Sequence, residues 1–431
     1  MTYAEAVARI LALRGGERAG MRPGLERIEA MLDAIGRPEQ AFTIVQVGGT
    51  NGKGSISAML AAILQAAGRR VGLYTSPHLA HYRERIRVDG RPISESDFVD
   101  GVDALGTLIT RLDLTVFEAG TALALDHFCR ARVDVAVLEV GLGGRLDATT
   151  VGTPRVEVIG PIDYDHQHEL GDTLTLIAAE KAAIIRSGVA FSAPQDPEAA
   201  AVLDRRAAEV GVPLLRAGRE LHAVPLGFTL EAQRLDLAGP GWHLADVACG
   251  LLGVFQPGNA LLAAAAAREL GADAAAIRAG LRGARWPGRF QIFRRDPLVI
   301  LDGAHNPAGA RALAASLQAY FPGRPVTFVV GILTDKDAGG ILAALRPLTA
   351  RVILTASANP RAAAPEALRA LLPADARVDT APSPQAALAM ATTAAGPRGI
   401  VCVAGSLSLI GDVLARAGDG QDVLFTAGAR C

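Results

Sequence analysis

One glycine-rich turn constrains the fold of this chain more than any other feature of its sequence. Residues 47–55 read Val-Gly-Gly-Thr-Asn-Gly-Lys-Gly-Ser; the β-branched stretch Ala41 to Val47 precedes them and the alanine-rich stretch Ser55 to Ala67 follows. A glycine turn between a strand and a helix presents backbone N–H groups and a helix N-terminus to phosphate oxygens. Lys53 adds a positive charge there, so the segment predicts a nucleotide-phosphate site in a parallel α/β fold.

The turn departs from the common P-loop pattern, in which the first glycine lies five residues before Gly-Lys-Ser or Gly-Lys-Thr. The first glycine of that pattern would fall on Val47, and Gly54 separates Lys53 from Ser55. A glycine-rich turn with an exposed lysine is therefore the alternative interpretation of these residues.

Strands and helices alternate along two stretches of the chain, as in parallel sheets that are covered on both faces. The alternation breaks at a short sheet predicted for 215–251 and again where proline, glycine and aromatic residues come together after Arg285. At 431 residues the chain is long enough for two cores. We predict a larger domain at 1–284, a linker at 285–297 and a smaller α/β domain at 298–431.

The composition argues against several classes of partner. The net charge is −1, half of the residues are apolar, and four cysteines occur without a CxxC pair. This balance favours neither nucleic acid nor an anionic membrane surface, and it suggests neither a disulfide framework nor a zinc cluster. The stretch Met1 to Gly20 lacks an apolar core, and the longest apolar run, Ala260 to Ala267, is too short to span a membrane. We expect a cytoplasmic protein.

Lysine is scarce: of 43 basic residues only Lys53, Lys181 and Lys336 are lysines. A lysine retained among so many arginines is a candidate for chemistry that needs a compact, titratable amine. Two other candidates end buried strands, where ligands of parallel sheets bind. Glu139 is the expected Mg²⁺ ligand and His166 a possible nitrogen ligand. The alternatives are a solvent-facing carboxylate and a structural histidine.

Many segments of the chain resemble the Mur ligase superfamily, and in particular its folate branch of folylpolyglutamate and dihydrofolate synthases. The glycine turn by itself indicates the superfamily. The segments that resemble the folate branch, in chain order, are Gly-Leu-Glu-Arg-Ile at 24–28, Thr-Ser-Pro-His-Leu at 75–79, Thr-Val-Phe-Glu at 115–118, Glu-Val-Gly-Leu-Gly-Gly-Arg-Leu-Asp-Ala-Thr at 139–149, Asp-His at 165–166, Glu-Lys-Ala at 180–182, Pro-Gly-Arg-Phe at 287–290, Leu-Asp-Gly-Ala-His-Asn-Pro at 301–307, Asp-Lys-Asp at 335–337 and Ala-Gly-Ser-Leu at 404–407.

The resemblance implies an α/β fold: an N-terminal P-loop ATPase-like Mur ligase central domain plus a smaller C-terminal Rossmann-like domain. It also implies an enzyme that uses ATP to phosphorylate a substrate carboxylate and then lets the amino group of L-glutamate form the amide. The expected acceptors are dihydropteroate and folates, and the expected protein is a monomer that closes its domains around a labile acyl phosphate. A single-activity folylpolyglutamate synthase is the alternative within the family. A P-loop switch without ligase activity is the alternative of another class.

The resemblance also implies roles for individual residues. Two Mg²⁺ ions are expected, and Lys181 matches a lysine that the family converts to a carbamate. The expected catalytic residues are Lys53, Lys181 and His305. The expected ATP-binding residues are Asn51, Gly52, Lys53, Gly54, Ser55, Asn259, Arg289 and Asp302. The expected metal ligands are Ser76, Glu139 and His166. The expected pterin or folate contacts are Gly24, Leu25, Thr115, Val116, Phe117, Glu118, Leu146, Asp147 and Ala148.

Two positions depart from the family pattern. Ala183 stands where the family usually has glycine after Glu-Lys-Ala, and Thr150 stands where it usually has asparagine after Asp-Ala-Thr. Neither change removes an assigned chemical group, but Thr150 is expected to change how the pterin loop is held. A stacking role for Phe117 competes with an ordinary place in the core.

Overall fold

A computed structural model describes residues 1–16 and 22–415 of the chain. It divides into two compact units. Unit 1 comprises Met1–Leu226, Leu235–Ala248 and Gly258–Ala284, and unit 2 comprises Gly227–Arg234, Cys249–Pro257 and the chain from Arg285 onward. No helix within the described ranges is both long and apolar enough to cross a membrane.

The elements up to residue 283 alternate as the sequence predicts. They are α1 Tyr3–Leu11, α2 Glu26–Ala34, β1 Thr43–Gly48, α3 Lys53–Ala66, β2 Val71–Tyr74, β3 Ile86–Val88, β4 Arg91–Pro92, α4 Glu95–Arg111, α5 Val116–Arg130, β5 Val135–Glu139, β6 Pro154–Ile159, α6 Gln167–Leu170, α7 Leu174–Ala182, β7 Val189–Ser192, α8 Pro197–Val210, β8 Leu214–Arg216, β9 His222–Phe228, β10 Gln233–Gly239, β11 Trp242–Cys249, α9 Gln256–Glu269 and α10 Ala274–Gly283.

An eight-stranded sheet forms the centre of unit 1, in the order β4-β3-β2-β5-β1-β6-β7-β8. The strands β2, β5, β1, β6, β7 and β8 are parallel. At one edge β3 pairs antiparallel with β2, and β4 pairs antiparallel with β3. Helix α3 is apolar on all sides and lies within the core, where α10 packs closely against it. A Cβ on Gly280 of α10 would lie 2.3 Å from the Cα of Ile63, so this close approach requires glycine. The excursion predicted for 215–251 is a three-stranded sheet in the order β11-β10-β9.

Unit 2 is a second α/β layer structure. Its elements are β12 Gln291–Arg295, β13 Leu298–Leu301, α11 Pro307–Tyr320, β14 Val326–Val330, α12 Ala338–Leu345, β15 Thr349–Leu354, α13 Pro365–Arg369, β16 Val378–Thr380, α14 Pro384–Ala395, β17 Ile400–Ala404 and α15 Leu407–Ala415. The sheet order is β12-β13-β17-β14-β15-β16, parallel apart from β12. The sequence predicts the last helix over Leu407 to Ala417, and positions 416 and 417 lie outside the described residues.

The segment predicted as a linker, 285–297, lies wholly in unit 2. Within it β12 pairs antiparallel with β13, Gln291 opposite Leu301. The mixed polar and aromatic residues of this segment hide a strand because β12 lies at the edge of its sheet, where a continuous apolar pattern is not required. The sequence-based division also leaves Gly227–Arg234 and Cys249–Pro257 in the first domain, whereas they group with unit 2.

Candidate active site

Three candidate segments of unit 1 leave neighbouring strands at the same edge of the sheet. Strand β1 lies between β5 and β6, with Val47 paired to Glu139 on one side and Gly48 paired to Ile159 on the other. The glycine turn after β1, the loop after Glu139 and the segment that leads to His166 therefore start side by side. The carboxyl edge of a parallel sheet is where such loops build a ligand site.

The glycine turn is held by the segment that follows β6. The N–H groups of Thr50 and Asn51 donate to the carbonyl oxygen of Pro161, at 2.9 and 3.2 Å. The two chains approach so closely that a Cβ on Gly49, whose φ is +126°, would lie 2.9 Å from Gly160. A Cβ on Gly160 would in turn lie 2.6 Å from the carbonyl oxygen of Asn51. These contacts between the two segments fix the shape of the turn.

Lys53 and Lys181 meet at this turn, although 128 positions separate them in the sequence. The Nζ of Lys53 donates to the carbonyl oxygens of Gly49 and Thr50, at 3.0 and 3.1 Å, and the Nζ of Lys181 donates to the same Gly49 oxygen at 3.2 Å. Lys181 is 5% exposed. Burial, and after it the nearby charge of Lys53, lower the pKa of Lys181 to about 7.

Ser76 and Glu139 lie together at the ends of β2 and β5. The Ser76 N–H donates to Oε2 of Glu139 at 3.1 Å, and Glu139 is buried. His166 has a left-handed backbone, with φ +52°, and its ring nitrogens lie 3.8 Å from Oδ1 of Asp165 and 3.9 Å from Oε2 of Glu169. Among the described residues, no group of three or more His, Cys, Asp or Glu side chains is arranged to hold a metal ion.

The oxygen donors of Ser76 and Glu139 fit Mg²⁺ better than a metal ion that takes all of its ligands from protein side chains. A serine hydroxyl and a buried carboxylate are hard oxygen donors, and Mg²⁺ bound with a nucleotide takes most of its other ligands from phosphate and water. Glu139 and Ser76 therefore suit that ion.

Asn259 lies in α9 directly beside the start of α3. A Cβ on Gly52, which precedes α3 with φ +83°, would lie 2.7 Å from Oδ1 of Asn259. The structure therefore places Asn259, which is predicted to contact adenine, next to Gly52, which is predicted to bind the phosphates. Glycine at position 52 leaves room for that amide.

The predicted pterin segment 115–118 begins helix α5. Thr115 is its N-cap and accepts from the Glu118 N–H, while the Glu118 carboxylate accepts from the Thr115 N–H and binds Arg27 at 2.8 Å. These two side chains thus close the helix end and join it to the neighbouring predicted segment at 24–28. The Phe117 ring packs against the backbone of Gly141, where a Cβ would lie 2.5 Å from the ring. The centroids of the Phe117 and Tyr74 rings are 5.8 Å apart.

The loop after Glu139 is organised by Asp147. This buried carboxylate accepts from the N–H groups of Gly141, Leu142 and Thr149, at 3.0, 2.9 and 3.0 Å. Burial raises the pKa of Asp147, and these hydrogen bonds oppose the rise. Asp147 therefore shapes the loop in which Leu146 and Ala148 stand.

The candidate residues of unit 2 form a separate cluster within that unit. Asp302 is buried at the end of β13 and accepts from the N–H groups of Phe290 and Ala304, both at 2.8 Å. Burial raises the pKa of Asp302, and the charge of Arg289 opposes that rise. The Nδ1 of His305 donates to the Gly303 carbonyl oxygen at 2.8 Å, which fixes the orientation of the ring.

Two family models match the chain. The model of the Mur ligase middle domain matches residues 47–267, and the model of the Mur ligase glutamate ligase domain matches residues 288–407. The chain belongs to the Mur ligase family.

Curated members of this family resemble the chain over most of their length. The dihydrofolate synthase/folylpolyglutamate synthase of Mycobacterium tuberculosis is 38% identical over 80% of this chain and 77% of its own. The enzyme of the same name from Escherichia coli is 38% identical over 80% of each chain. This Mur ligase therefore belongs to the dihydrofolate synthase/folylpolyglutamate synthase group and is an ATP-dependent ligase.

Solved structures of two Mur ligases match the fold of this one. The folylpolyglutamate synthase of Mycobacterium tuberculosis complexed with ADP has a TM-score of 0.89 at 35% identity and covers 95% of this chain and 98% of its own. Escherichia coli FolC in complex with DHPP and ADP has a TM-score of 0.88 at 34% identity and covers 96% and 97%. The α/β architecture predicted for both halves of this Mur ligase is confirmed.

Sequence reasoning missed the residues that support this site from beneath. Gln46, Glu157 and Arg186 are not among the sequence-based candidates. The missed signal is a polar residue at the centre of each of two mostly apolar strands, Gln46 in β1 and Glu157 in β6. Polar groups that interrupt a buried strand must be hydrogen-bonded, and here they lead to the loops of the site.

Proposed function

We propose that this Mur ligase joins L-glutamate to the carboxylate of dihydropteroate, yielding dihydrofolate, and to folates, extending their glutamate chain. The observation that carries the proposal is the meeting of Lys53 and Lys181 at the Gly49 carbonyl oxygen, on a glycine turn beside the Ser76–Glu139 pair. The relatives named dihydrofolate synthase/folylpolyglutamate synthase support the choice of acceptor.

The reaction proceeds in two steps. An oxygen of the acceptor carboxylate forms a bond to the γ-phosphorus of ATP, the bond to the β-phosphate breaks and ADP leaves. The neutral amine of glutamate then attacks the acyl carbon, phosphate leaves and the amine gives up a proton. Because the phosphoryl group carries its charge throughout, the protein's task is to position the reactants and neutralise that charge.

Residues of the glycine turn do that work for the nucleotide. Asn51, Gly52, Gly54 and Ser55 bind the triphosphate, and Lys53 neutralises the transferring phosphoryl group. Asn259 contacts the adenine. Of the residues in unit 2, Arg289 and Asp302 bind ATP and His305 is catalytic. Gly24, Leu25, Val116, Phe117, Leu146 and Ala148 form the pterin contacts, with Thr115, Glu118 and Asp147 shaping the segments around them.

Ser76, Glu139 and His166 would hold Mg²⁺, with a second ion near Lys181. When bound, Mg²⁺ neutralises phosphate charge and orients the γ-phosphoryl group. Lys181 meets the requirement for a carbamate, which forms when a neutral amine attacks carbon dioxide and loses a proton. A pKa of about 7 keeps a large share of this amine neutral near neutral pH.

Phosphate release tests the proposal. The assay contains ATP, Mg²⁺ and L-glutamate with dihydropteroate, with tetrahydrofolate or with no acceptor, and the Lys53→Ala variant is the control for contaminating activity. We expect release with both acceptors and none without them. Release with the folate alone would select the single-activity synthase, and release that ignores the acceptor would indicate a nucleotide hydrolase or switch. We further propose that the protein is cytoplasmic and monomeric. Sedimentation of the purified chain tests whether it is a monomer.

A further inference from the structure

Two polar side chains interrupt the apolar core of unit 1 at the same height in the sheet. Gln46 of β1 and Glu157 of β6 are paired in register, and both are 0% exposed. Side chains paired across parallel strands point to the same face, so both stand on one side of the sheet beneath the loops of the candidate site. Buried groups of this kind are costly unless hydrogen bonds satisfy them.

Arg186 is hydrogen-bonded to both groups, while Oε2 of Glu157 has no hydrogen-bond partner within the described ranges. It follows α7, the helix that carries Lys181. The backbone N–H groups of Arg186 and Ser187 donate to Oε1 of Glu157, at 3.1 and 2.9 Å. The Arg186 guanidinium donates to Oε1 of Gln46 at 3.3 Å and to the carbonyl oxygen of Gly152 at 3.1 Å. The end of the α7 segment is thereby tied to β1, the strand that enters the glycine turn.

Thr150 carries the connection into the loop after Glu139. The Gln46 side-chain amide donates to the Thr150 hydroxyl at 2.7 Å, and that hydroxyl donates to the Gly144 carbonyl oxygen at 2.6 Å. The same amide lies 3.2 Å from the hydroxyl of Thr149, which in turn donates to Asp147. Gln46 is thus linked to the loop backbone at Gly144 through Thr150, and to the Asp147 carboxylate through Thr149.

The loop closes the circle by returning to α7. The Arg145 N–H donates to the Glu180 carbonyl oxygen at 3.0 Å. A Cβ on Gly144 would lie 2.8 Å from that same oxygen, so loop and helix are in direct contact one residue before Lys181. A displacement of Gly144 therefore moves the backbone that carries Lys181.

We propose that Gln46, Thr150 and Arg186 form a buried bridge of positioning residues that fixes the loop at 141–149 relative to Lys181 and to the glycine turn. The inference rests on the proposed function. None of the three side chains is placed in contact with substrate; they act through the backbone of the loop and of α7. Misplacement of reacting groups by about 1 Å costs about a hundredfold in rate, so loss of the bridge lowers turnover while the chain stays folded.

The Thr150→Val variant tests the bridge because valine keeps the shape of threonine and removes the hydroxyl that joins Gln46 to Gly144. Thr150→Ser keeps the hydroxyl and is the rescue variant. Thr327→Val, the same change at a buried position of β14 in unit 2, is the matched control. The measurements are kcat, KM for ATP and for the acceptor, and hydrogen exchange of the amides at 141–149.

We expect Thr150→Val to lower kcat by about tenfold to a hundredfold, with KM for ATP within about threefold of the unmodified chain because the Pro161 contacts of the glycine turn are untouched. Exchange at 141–149 becomes faster, and Thr150→Ser and Thr327→Val keep the original kcat. A kcat for Thr150→Val within about threefold of the original overturns the bridge. So does loss of activity in Thr150→Ser equal to that in Thr150→Val.

Two outcomes need a second readout. If Thr150→Val does not fold, Gln46→Met is assessed by the same criteria. If the unmodified chain ligates glutamate to no acceptor, the proposed function fails, and exchange at 141–149 decides on the bridge by itself. Unchanged exchange in Thr150→Val then overturns it.

Discussion

At the scale of single residues, two cationic side chains share one carbonyl oxygen. Lys53 and Lys181 both donate to Gly49, and Lys181 is buried. Burial, and after it the repulsion from the nearby Lys53 charge, lower the pKa of Lys181. The arrangement suits a site in which bound phosphate neutralises the charge of Lys53, while the proposed carbamate removes the positive charge of Lys181.

Lys53→Ala is expected to lower kcat/KM by about a hundredfold to a thousandfold, because the change removes the positive charge that we propose neutralises the transferring phosphoryl group. The fold remains intact since Lys53 is only partly buried. Steady-state phosphate release and thermal unfolding check both statements. Arg69→Ala, an exposed site just beyond the other end of α3, is the control; equal effects of the two changes would contradict the role.

Lys181→Ala is expected to be nearly inactive, and acetate or formate is expected to restore part of the rate. The anion would occupy the position of the carbamate that we propose on Lys181. The measurement is kcat as a function of acetate concentration, with chloride at equal ionic strength as the control. A lysine that acts only as a cation would show no rescue by a carboxylate.

Glu157 predicts a pH dependence of stability. Burial raises its pKa to about 7, although the nearby Arg186 charge and the two backbone N–H donors oppose the rise. Above the ordinary glutamate pKa the unfolded chain loses this proton first, so the stability contributed by the group falls as pH rises from about 4.5 to about 7. Glu157→Gln cannot ionise, so its Tm should gain on that of the original chain from pH 5 to pH 8. Parallel Tm curves would refute the assignment.

At the scale of elements, the site depends on how closely the turns approach each other. The glycine turn and the residues after β6 touch backbone to backbone at Gly49 and Gly160. Helix α5 begins with a capping box whose glutamate, Glu118, also binds Arg27. Segments that are distant in the sequence are thereby held together by a few close contacts.

Gly160→Ala is expected to raise KM for ATP by about tenfold or more, because overpacking of this kind costs about 1–3 kcal/mol. The added Cβ would lie 2.6 Å from the Asn51 carbonyl oxygen, which is too close for either segment to keep its place. Gly283→Ala, where a Cβ meets nothing within 4 Å, should leave KM unchanged. An unaltered KM in Gly160→Ala would mean that the turn tolerates displacement.

At the scale of the whole molecule, the candidate groups are divided between two units. Unit 1 contains the glycine turn, the lysines at Gly49 and the Ser76–Glu139 pair, whereas Asp302 and His305 lie in unit 2. Nucleotide binding and turnover should therefore respond differently to changes in unit 2.

His305→Ala is expected to lower kcat by at least about tenfold, the lower range for loss of a positioned catalytic group, while the Kd for a nonhydrolysable ATP analogue changes by less. The glycine turn, which we propose binds the triphosphate, belongs to unit 1 and keeps its own contacts. Equilibrium binding and phosphate release separate the two effects. His222→Ala, at an exposed histidine, is the control, and a Kd that rises as far as kcat falls would contradict this division.

The sequence by itself determined the features that are encoded locally. Apolar runs, glycines and strand ends predicted the α/β alternation, the glycine turn after β1 and the place of Glu139 at the end of β5, because periodicity and turn chemistry act over a few residues. His166, predicted to end the next strand, lies beyond the end of β6 at Ile159 and precedes α6. The tertiary structure alone decided which side chains meet. Gln46, Thr150 and Arg186 reach one another across 140 positions of sequence, and Lys181 reaches Gly49 across 132. Such contacts depend on the packing of strands and helices in three dimensions, which no local pattern specifies.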